Sequence, residues 1–193
     1  MVLDDESSLS SDGALRAFLE DDSVVVSCLN AATETGRASF NGKTCQVTLN
    51  IPRTPETIPD FITLRERKTG SAIPFGAGSA VLTEKMCEDL GVKAGDVLTL
   101  ENADGKKAQI TVTGVCENYL AAYAYISPDA YETAFGKAPN YKTLLVNLVS
   151  DEDMDGVMSR ALSSGRVLYT RASRSIRDAF ADSVKSIDAI VLV

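Results

Sequence analysis

The distribution of apolar and polar residues predicts a helix and two strands in the first 50 residues. Residues 1–10 are rich in Ser, Asp and Glu and are expected to form a flexible, solvated lead-in. Ser11-Asp12 can cap a short helix, because apolar residues recur at helical spacing behind it. Consecutive β-branched residues predict a strand over Ser23–Ala31. A second strand region is predicted over Ala38–Asn50, with a tight turn at Asn41-Gly42.

The next stretch predicts a connector that leads into a further strand. Residues 52–60 contain three prolines, which cannot donate backbone hydrogen bonds and therefore disfavour regular strand pairing. Side chains alternate in character over Phe61–Lys68, which predicts an exposed strand. Glycines and a proline between residues 70 and 78 then predict a turn-rich approach to the next strand.

A compact series of short elements is predicted from Ala80 to Phe135. Thr83 is suited to begin a helix and Gly91 to end it. Pro128 is suited to the first position of a second helix, where its missing N–H costs little. The predicted strands are Ala80–Leu82, Val97–Leu100, Ala108–Val115 and Tyr123–Ile126, with turns at Gly95-Asp96 and Ala103-Asp104-Gly105.

Two strand and helix pairs are predicted after this series. Thr143–Val149 is a predicted strand, and acidic residues in the first turn support a helix over Asp151–Ser164. Arg166–Thr170 is the last predicted strand. A final helix is predicted from Ser173, with an apolar stripe that passes into the five apolar residues 189–193.

Composition and charge exclude several classes of function. Apolar residues make up 45% and charged residues 24% of the 193 residues, which is typical of a folded domain. The net charge of -8 and the lack of a basic cluster argue against a nucleic-acid partner. The chain contains no histidine, so triads that use histidine as general base cannot form. We therefore predict no enzyme activity, no catalytic residues, no cofactor and no metal site.

Four widely spaced cysteines, Cys28, Cys45, Cys87 and Cys116, do not form the paired spacing of a zinc site or a redox motif. Each lies in an apolar or amphipathic run, which predicts buried thiols. A Cys28–Cys45 disulfide stays open as an alternative, if the two strands pair about Gly36.

Other candidate sites have weaker support. Tyr119, Tyr123 and Tyr125 lie close together, and such side chains suit interfaces, so they are candidates to face a partner; packing in the core is the alternative. Glu117 is the candidate carboxylate for a hydrolase, although no paired acid or nucleophile accompanies it. Acidic residues 151–155 lack the distant Glu of a Ca²⁺-binding EF-hand loop.

Several motifs in order resemble the extracytoplasmic domain of FtsX-like ABC transporter permeases, the family that includes MacB-like transporters. The resemblance covers about Phe61–Val193, and residues 1–60 show no likeness to it. The residues that carry it are Ala80-Val81-Leu82-Thr83-Glu84-Lys85, Leu90-Gly91-Val92-Lys93-Ala94-Gly95-Asp96, Val112-Thr113-Gly114-Val115-Cys116-Glu117-Asn118-Tyr119, Tyr125-Ile126-Ser127 and Tyr131 to Gly136.

The resemblance implies a two-lobed α+β fold with a mixed or antiparallel sheet lobe and a β-rich lobe carrying short helices. We expect residues 11–60 to belong to an outer lobe and residues 61–172 to a β-rich, membrane-proximal lobe with a strand-helix return. Residues 173–193 are then expected to lead toward a membrane span, with the reading frame continuing into apolar residues and another span before Met1.

The resemblance also implies a function and partners. Such a domain is not catalytic, lies on the extracytoplasmic face of the plasma membrane, and couples ATP hydrolysis by a separate cytoplasmic ATPase subunit to the handling of a lipid, lipoprotein, peptide or antibiotic. The implied partners are the membrane-embedded remainder of the permease, that ATPase, an extracytoplasmic peptide, lipid or protein, and a second copy in a homodimer. A free-standing soluble β-rich binding domain is the alternative, and a hydrolase is a third hypothesis.

Overall fold

The computed structural model describes residues 1–118, 121–150 and 154–172. The chain divides into two compact units. Unit 1 comprises the described residues of Met1–Val25 and Leu148–Val193, and unit 2 comprises those of Val26–Asn147. The final helix predicted from Ser173 lies outside the described residues, and the predicted lobe boundaries at residues 10, 60 and 172 stay a prediction.

Short helices and strands alternate along the described chain. The α-helices are α1 (Ser8–Ser11), α2 (Gly13–Leu19), α3 (Glu84–Leu90), α4 (Pro128–Phe135) and α5 (Met154–Leu162), and Pro55–Asp60 is a 3₁₀ helix. The strands are β1 (Val2–Leu3), β2 (Val25–Phe40), β3 (Lys43–Pro52), β4 (Ala80–Thr83), β5 (Val97–Glu101), β6 (Lys107–Thr111), β7 (Gly114–Cys116), β8 (Tyr123–Ile126), β9 (Thr143–Leu148) and β10 (Val167–Tyr169).

Unit 2 is built on a mixed sheet with the strand order β9-β2-β3-β8-β4-β7. The pairs β2–β3 and β4–β8 are antiparallel, whereas β3–β8 and β4–β7 are parallel. Strand β5 pairs with β6 and also with residues 37–39 of β2. A large mixed sheet with a few short helices confirms the predicted α+β fold class.

The long hairpin of β2 and β3 differs from the prediction. Strand β2 continues without a break through the residues expected to separate two strands, and the chain turns at Asn41-Gly42. Both turn residues have positive φ, 48° and 79°, as the tight turns of hairpins require. Gly36 therefore lies opposite Val47, so the chain does not turn there.

Gly36 allows β5 to lie close to β2. A Cβ atom at this position would lie 2.3 Å from the carbonyl oxygen of Glu101, which is backbone and cannot move aside. Because glycine has no Cβ, the two strands can pair at this point. The edge of β2 is thus extended by the β5–β6 hairpin.

The two faces of this sheet carry separate buried clusters. On one face, α3 and α4 contribute Met86, Leu90, Tyr131 and Phe135 to a cluster that includes Leu82. On the other face, the neighbouring residue Val81 packs with residues from the connector, because successive strand residues point to opposite faces. The members of this second cluster are Leu29, Ile58, Leu64, Val81, Cys116 and Tyr125.

The strand predicted over Phe61–Lys68 is wrong. The 3₁₀ helix is followed by a further turn in which the N–H of Ile62 donates to the carbonyl of Ile58 at 2.8 Å. Only Arg65 makes a strand-type bridge, to Ala72, in this segment. Alternating polarity was a poor guide here because, in the described part of the chain, only residues 64–66 make backbone hydrogen bonds of this kind, to residues 71–73 and to Glu117. The prediction that the proline-rich residues 52–60 would not pair regularly is confirmed for residues 55–60. It is wrong for Pro52, which is the last residue of β3 and lies opposite Ala31.

Unit 1 contains β1, β10, α1, α2 and α5. The solvated lead-in expected over residues 1–10 is instead partly buried, because Leu3 is fully buried and β1 pairs with β10. Asp12 caps α2, its carboxylate accepting from the N–H of Leu15 at 2.8 Å. Leu15 and Phe18 are buried, as the helical spacing predicted. Across the described ranges, none of the helices combines the length and apolar character of a membrane span.

Candidate functional site

A groove with a volume of about 440 Å³ runs beside β7 in unit 2. Residues 113–115 form one wall and residues 71–74 form the other. The charged residues 66–68 and Glu84 line the same groove. The groove therefore combines an extended backbone wall with a charged region.

The segment before the groove is fixed to the end of β7. The N–H of Glu117 donates to the carbonyl of Arg65 at 2.9 Å, and the Nε of Arg65 lies 2.8 Å from the Oε2 of Glu117. The bridge between Arg65 and Ala72 then turns the chain back toward the groove. Ile73 lies so close to Gly114 that an added Cβ would come within 2.8 Å of its Cγ2. These contacts hold the two walls in place.

Glu84 has one paired and one unpaired carboxylate oxygen. It is the first residue of α3, and its Oε1 accepts from the Nε of Arg67 at 3.2 Å. Its Oε2 is buried and has no hydrogen-bond partner among the residues that the structure describes. The Glu84 side chain is 19% exposed, whereas that of Arg67 is 49% exposed. A buried acceptor without a donor is unfavourable, so this oxygen lowers the stability of the fold.

Thr83, the residue before Glu84, ties the end of β4 to the start of β8. This threonine is fully buried, and its hydroxyl donates to the carbonyl of Ala121 at 2.9 Å and accepts from the N–H of Tyr123 at 3.0 Å. The sequence predicted that Thr83 would cap α3, and it does occupy the N-cap position, but its side chain makes no capping bond. The hydroxyl instead ties the end of β4 to the segment that enters β8.

The predicted tyrosines are in different environments. Tyr119 lies outside the described residues. Tyr125 is 7% exposed and belongs to the second buried cluster of unit 2, and burial raises its pKa. Tyr123 is half-buried, and its ring centroid lies 6.3 Å from that of Tyr125. Core packing therefore describes Tyr125, while a partner-facing role for Tyr123 stays a prediction.

Glu117 makes a structural contact in this arrangement. Its carboxylate is bound to Arg65, as described for the end of β7. Local hydrogen bonds at this strand end were predicted, and the Oδ1 of Asn118 accepts from the N–H of Ala121 at 3.3 Å. Because its carboxylate is paired with Arg65, Glu117 has a structural role: it holds the segment before the groove against the end of β7.

The cysteines are only partly as predicted. All four are free thiols. The Cys28–Cys45 disulfide does not form, because the hairpin turns at Asn41-Gly42 and places Cys45 opposite Ala38 instead of Cys28. Cys87 and Cys116 are buried, whereas Cys28 is exposed and Cys45 is intermediate. Burial raises the pKa of Cys87 to about 12 and that of Cys116 to about 11. These two thiols are therefore neutral core residues at physiological pH.

Sequence reasoning missed the groove and its charged residues. The sequence predicted an exposed strand over Phe61–Lys68, which contains the three basic residues Arg65, Arg67 and Lys68, and gave no role to Glu84. The Arg67–Glu84 contact spans 17 residues and depends on the turn that brings Arg65 to Ala72. No local signal in the sequence indicates this turn.

Comparisons with known proteins show which solved structures this fold is similar to. No family model matches the sequence, and no curated protein sequence is significantly similar to it. The chain is similar to the extracellular domain of the noncanonic ABC-type transporter YknZ from Gram-positive bacteria, with a TM-score of 0.50 and 16% identity over 83% of this chain and 88% of that domain. It is also similar to the periplasmic region of MacB from Actinobacillus actinomycetemcomitans, with a TM-score of 0.49 and 11% identity over 87% of this chain and 81% of that region.

The similarity to the YknZ domain extends over most of both chains. At this identity it shows a shared fold. The predicted resemblance to extracytoplasmic domains of ABC transporter permeases is thus confirmed at the level of the fold.

Proposed function

We propose that this chain is a non-catalytic extracytoplasmic domain of an ABC transporter permease. The observation that carries the proposal is the fold shared with the extracellular domain of YknZ over most of both chains. The independent likeness of the Ala80–Gly136 motifs to the same class of permeases supports it. In this role the domain transmits movement between an ATP-driven membrane part and a molecule outside the membrane.

The proposal includes the position and the partners of the domain. It lies on the extracytoplasmic face of the plasma membrane and is attached to the membrane-embedded remainder of the permease. A separate cytoplasmic ATPase supplies the energy, and a second copy of the permease completes a homodimer. The molecule handled is a lipid, a lipoprotein, a peptide or an antibiotic.

The exposed thiol of Cys28 provides a test of the position. Intact cells that produce the natural protein are treated with a maleimide that cannot cross membranes, and labelling of this protein is measured by mass spectrometry. We expect Cys28 to be labelled before lysis, and Cys87 to be labelled only after denaturation, because it is buried. A Cys28→Ser variant is the matched control. Labelling of Cys28 only after lysis would contradict the extracytoplasmic position.

A free-standing binding domain is the second candidate, and the groove beside β7 favours it. The two candidates differ in the coding sequence on either side of this chain. A permease requires apolar segments of about 20 residues that can cross the membrane. Polar flanking sequence would favour the free-standing domain.

A further inference from the structure

Unit 1 is built from two segments that are far apart in the sequence. Its N-terminal segment is residues 1–25, its C-terminal segment is the described residues from Leu148 onward, and the whole of unit 2 lies between them in the sequence. Neither segment contains a cysteine, so only non-covalent contacts join them within unit 1. A force that pulls the two termini apart therefore acts on these contacts first, and unit 2 is stretched only after they break.

Strands β1 and β10 join the two segments in a geometry that opens easily. The strands are antiparallel, in the register Val2 with Tyr169 and Leu3 with Val167. The chain enters β1 just before Val2 and leaves β10 just after Tyr169, so both strands are pulled from the same end of the pair. Hydrogen bonds pulled from one end break one after another, whereas bonds pulled from opposite ends must break together. Little force is therefore needed to separate β1 from β10.

Side chains also connect the two segments. The Nη1 of Arg160, in α5, lies 2.7 Å from the Oδ2 of Asp21, and its guanidinium lies 5.5 Å from the centroid of the Phe18 ring. The Nη1 of Arg166 lies 3.2 Å from the Oδ2 of Asp4. Both arginine side chains are about half exposed, so water and salt screen these ion pairs. Such contacts hold the segments together at rest but add little resistance to pulling.

We propose that unit 1 is a clasp between the two segments, which opens when the termini are pulled apart and leaves unit 2 folded. The two buried clusters of unit 2 lie entirely within residues 26–147, so they keep their packing when the clasp opens. Strands β1 and β10 pair again when the tension falls, because folded unit 2 keeps the two segments tethered. The clasp depends on the proposed function only for the source of its tension, which is movement of the membrane-embedded part of the permease.

Stretching single molecules of the full chain tests the clasp. DNA handles are attached to the two termini, and the extension of the chain is recorded in an optical trap as the force rises. We expect a short first step that reverses when the force is lowered. At higher force we expect a step of about 400 Å, the length of residues 26–147 at about 3.3–3.6 Å per residue.

Two arginine variants locate the contacts that open in the first step. Arg160→Ala removes an ion pair and a cation–π contact that join the two segments, so the first step should occur about fivefold faster at a fixed force. Arg16→Ala is the matched control, because its ion-pair partner Glu20 lies in the same segment. This control should leave the rate of the first step unchanged, and neither variant should alter the second step.

Three outcomes would overturn the clasp. These are unfolding of the whole chain in one step, unfolding of unit 2 before any shorter step, and equal first-step rates for the wild type and Arg160→Ala. The order of the steps is measured on the wild-type chain, so it decides the question even when Arg160→Ala does not fold. No membrane is present in this measurement, so its failure leaves the proposed function standing, whereas labelling of Cys28 only after lysis contradicts that function and leaves the clasp standing.

Discussion

At the scale of single residues, Gly36 and Gly114 mark the closest approaches between segments of unit 2. At Gly36 the neighbouring atom is a backbone oxygen, whereas at Gly114 it is the Cγ2 methyl group of the Ile73 side chain. A side chain can rotate away, but a paired backbone cannot. Gly36 is therefore the more restrictive of the two positions.

Gly36→Ala is expected to destabilise the chain by about 1–3 kcal/mol, because its Cβ would overlap the carbonyl oxygen of Glu101. Urea unfolding followed by circular dichroism measures the change in the free energy of unfolding. Gly13→Ala is the matched control, since nothing lies within 4 Å of the added Cβ and the residue begins α2. Equal stability of the two variants would contradict the close approach of β5 to β2.

The two buried thiols predict a loss of stability in alkaline solution. Below about pH 9 both the folded and the unfolded chain keep these thiols neutral. As the pH rises above the ordinary value of 9.0, the unfolded chain ionises, while Cys87 stays neutral in the folded chain up to about 12. The unfolded state is thereby favoured, and each thiol lowers the free energy of unfolding by about 1.4 kcal/mol at pH 10.

Cys87→Ala tests this expectation. Its free energy of unfolding is expected to fall by about 1.4 kcal/mol less than that of the wild type between pH 8 and pH 10. Denaturant titrations at both pH values give the two differences. Each protein is compared with itself at pH 8, so the loss of packing at this position cancels. Identical pH dependence in both proteins would show that Cys87 is not protected from ionisation.

At the scale of elements, α2 in unit 1 depends on its cap. Asp12→Ala removes the acceptor for the N–H of Leu15 and should destabilise the helix by about 1 kcal/mol. Amide hydrogen exchange at residues 15–19 should become faster. Asp12→Asn keeps a capping oxygen and is the matched control. Faster exchange in both variants would assign the effect to the loss of the negative charge near Arg166 instead.

Elements with both a local signal and a tertiary neighbour were predictable from the sequence. Helix α4 begins at Pro128 and buries Tyr131 and Phe135 as expected, and Gly136 ends it with a φ of 65°. Helix α3 is likewise bounded as predicted by Thr83 and Gly91. In both helices the residues that begin and end the helix are close together in the sequence. Local sequence was therefore enough to predict them, and the tertiary contacts are consistent with it.

Other elements depend on distant contacts that the sequence does not display. Side chains alternate in polarity over Phe61–Lys68 as in a strand, but no strand pairs with most of this segment in the described part of the chain. Strand β2 passes through Gly36, which interrupts a strand signal but is needed for pairing with β5. The groove was missed for the same reason, because its walls are distant in sequence and meet through the Arg65–Ala72 bridge and the contact between Ile73 and Gly114.

At the scale of the whole molecule, unit 2 contains its own cores. Both buried clusters described for its sheet lie entirely within residues 26–147. A stretch of this size that buries its own apolar side chains is expected to fold alone.

Expression of residues 25–148, which keeps β2 and β9 whole, tests the independence of unit 2. We expect a cooperative thermal transition and a strand-rich circular dichroism spectrum. The same fragment with Leu49→Asp, which places a charge in the first cluster, is the control for a collapsed but unfolded chain. A fragment that unfolds without cooperativity would show that unit 2 needs the remaining residues.

The parallel pairing of β3 with β8 has a consequence for how the chain reaches its structure. Thr48 pairs with Tyr123, so the centre of the sheet closes only when segments far apart in sequence meet. Such pairing makes folding slow, since the entropy of a long loop is lost before the contacts form. Until β3 and β8 have paired, the edges of both strands stay exposed to other chains. Late closure of the sheet therefore makes protection from aggregation a requirement of folding for this chain.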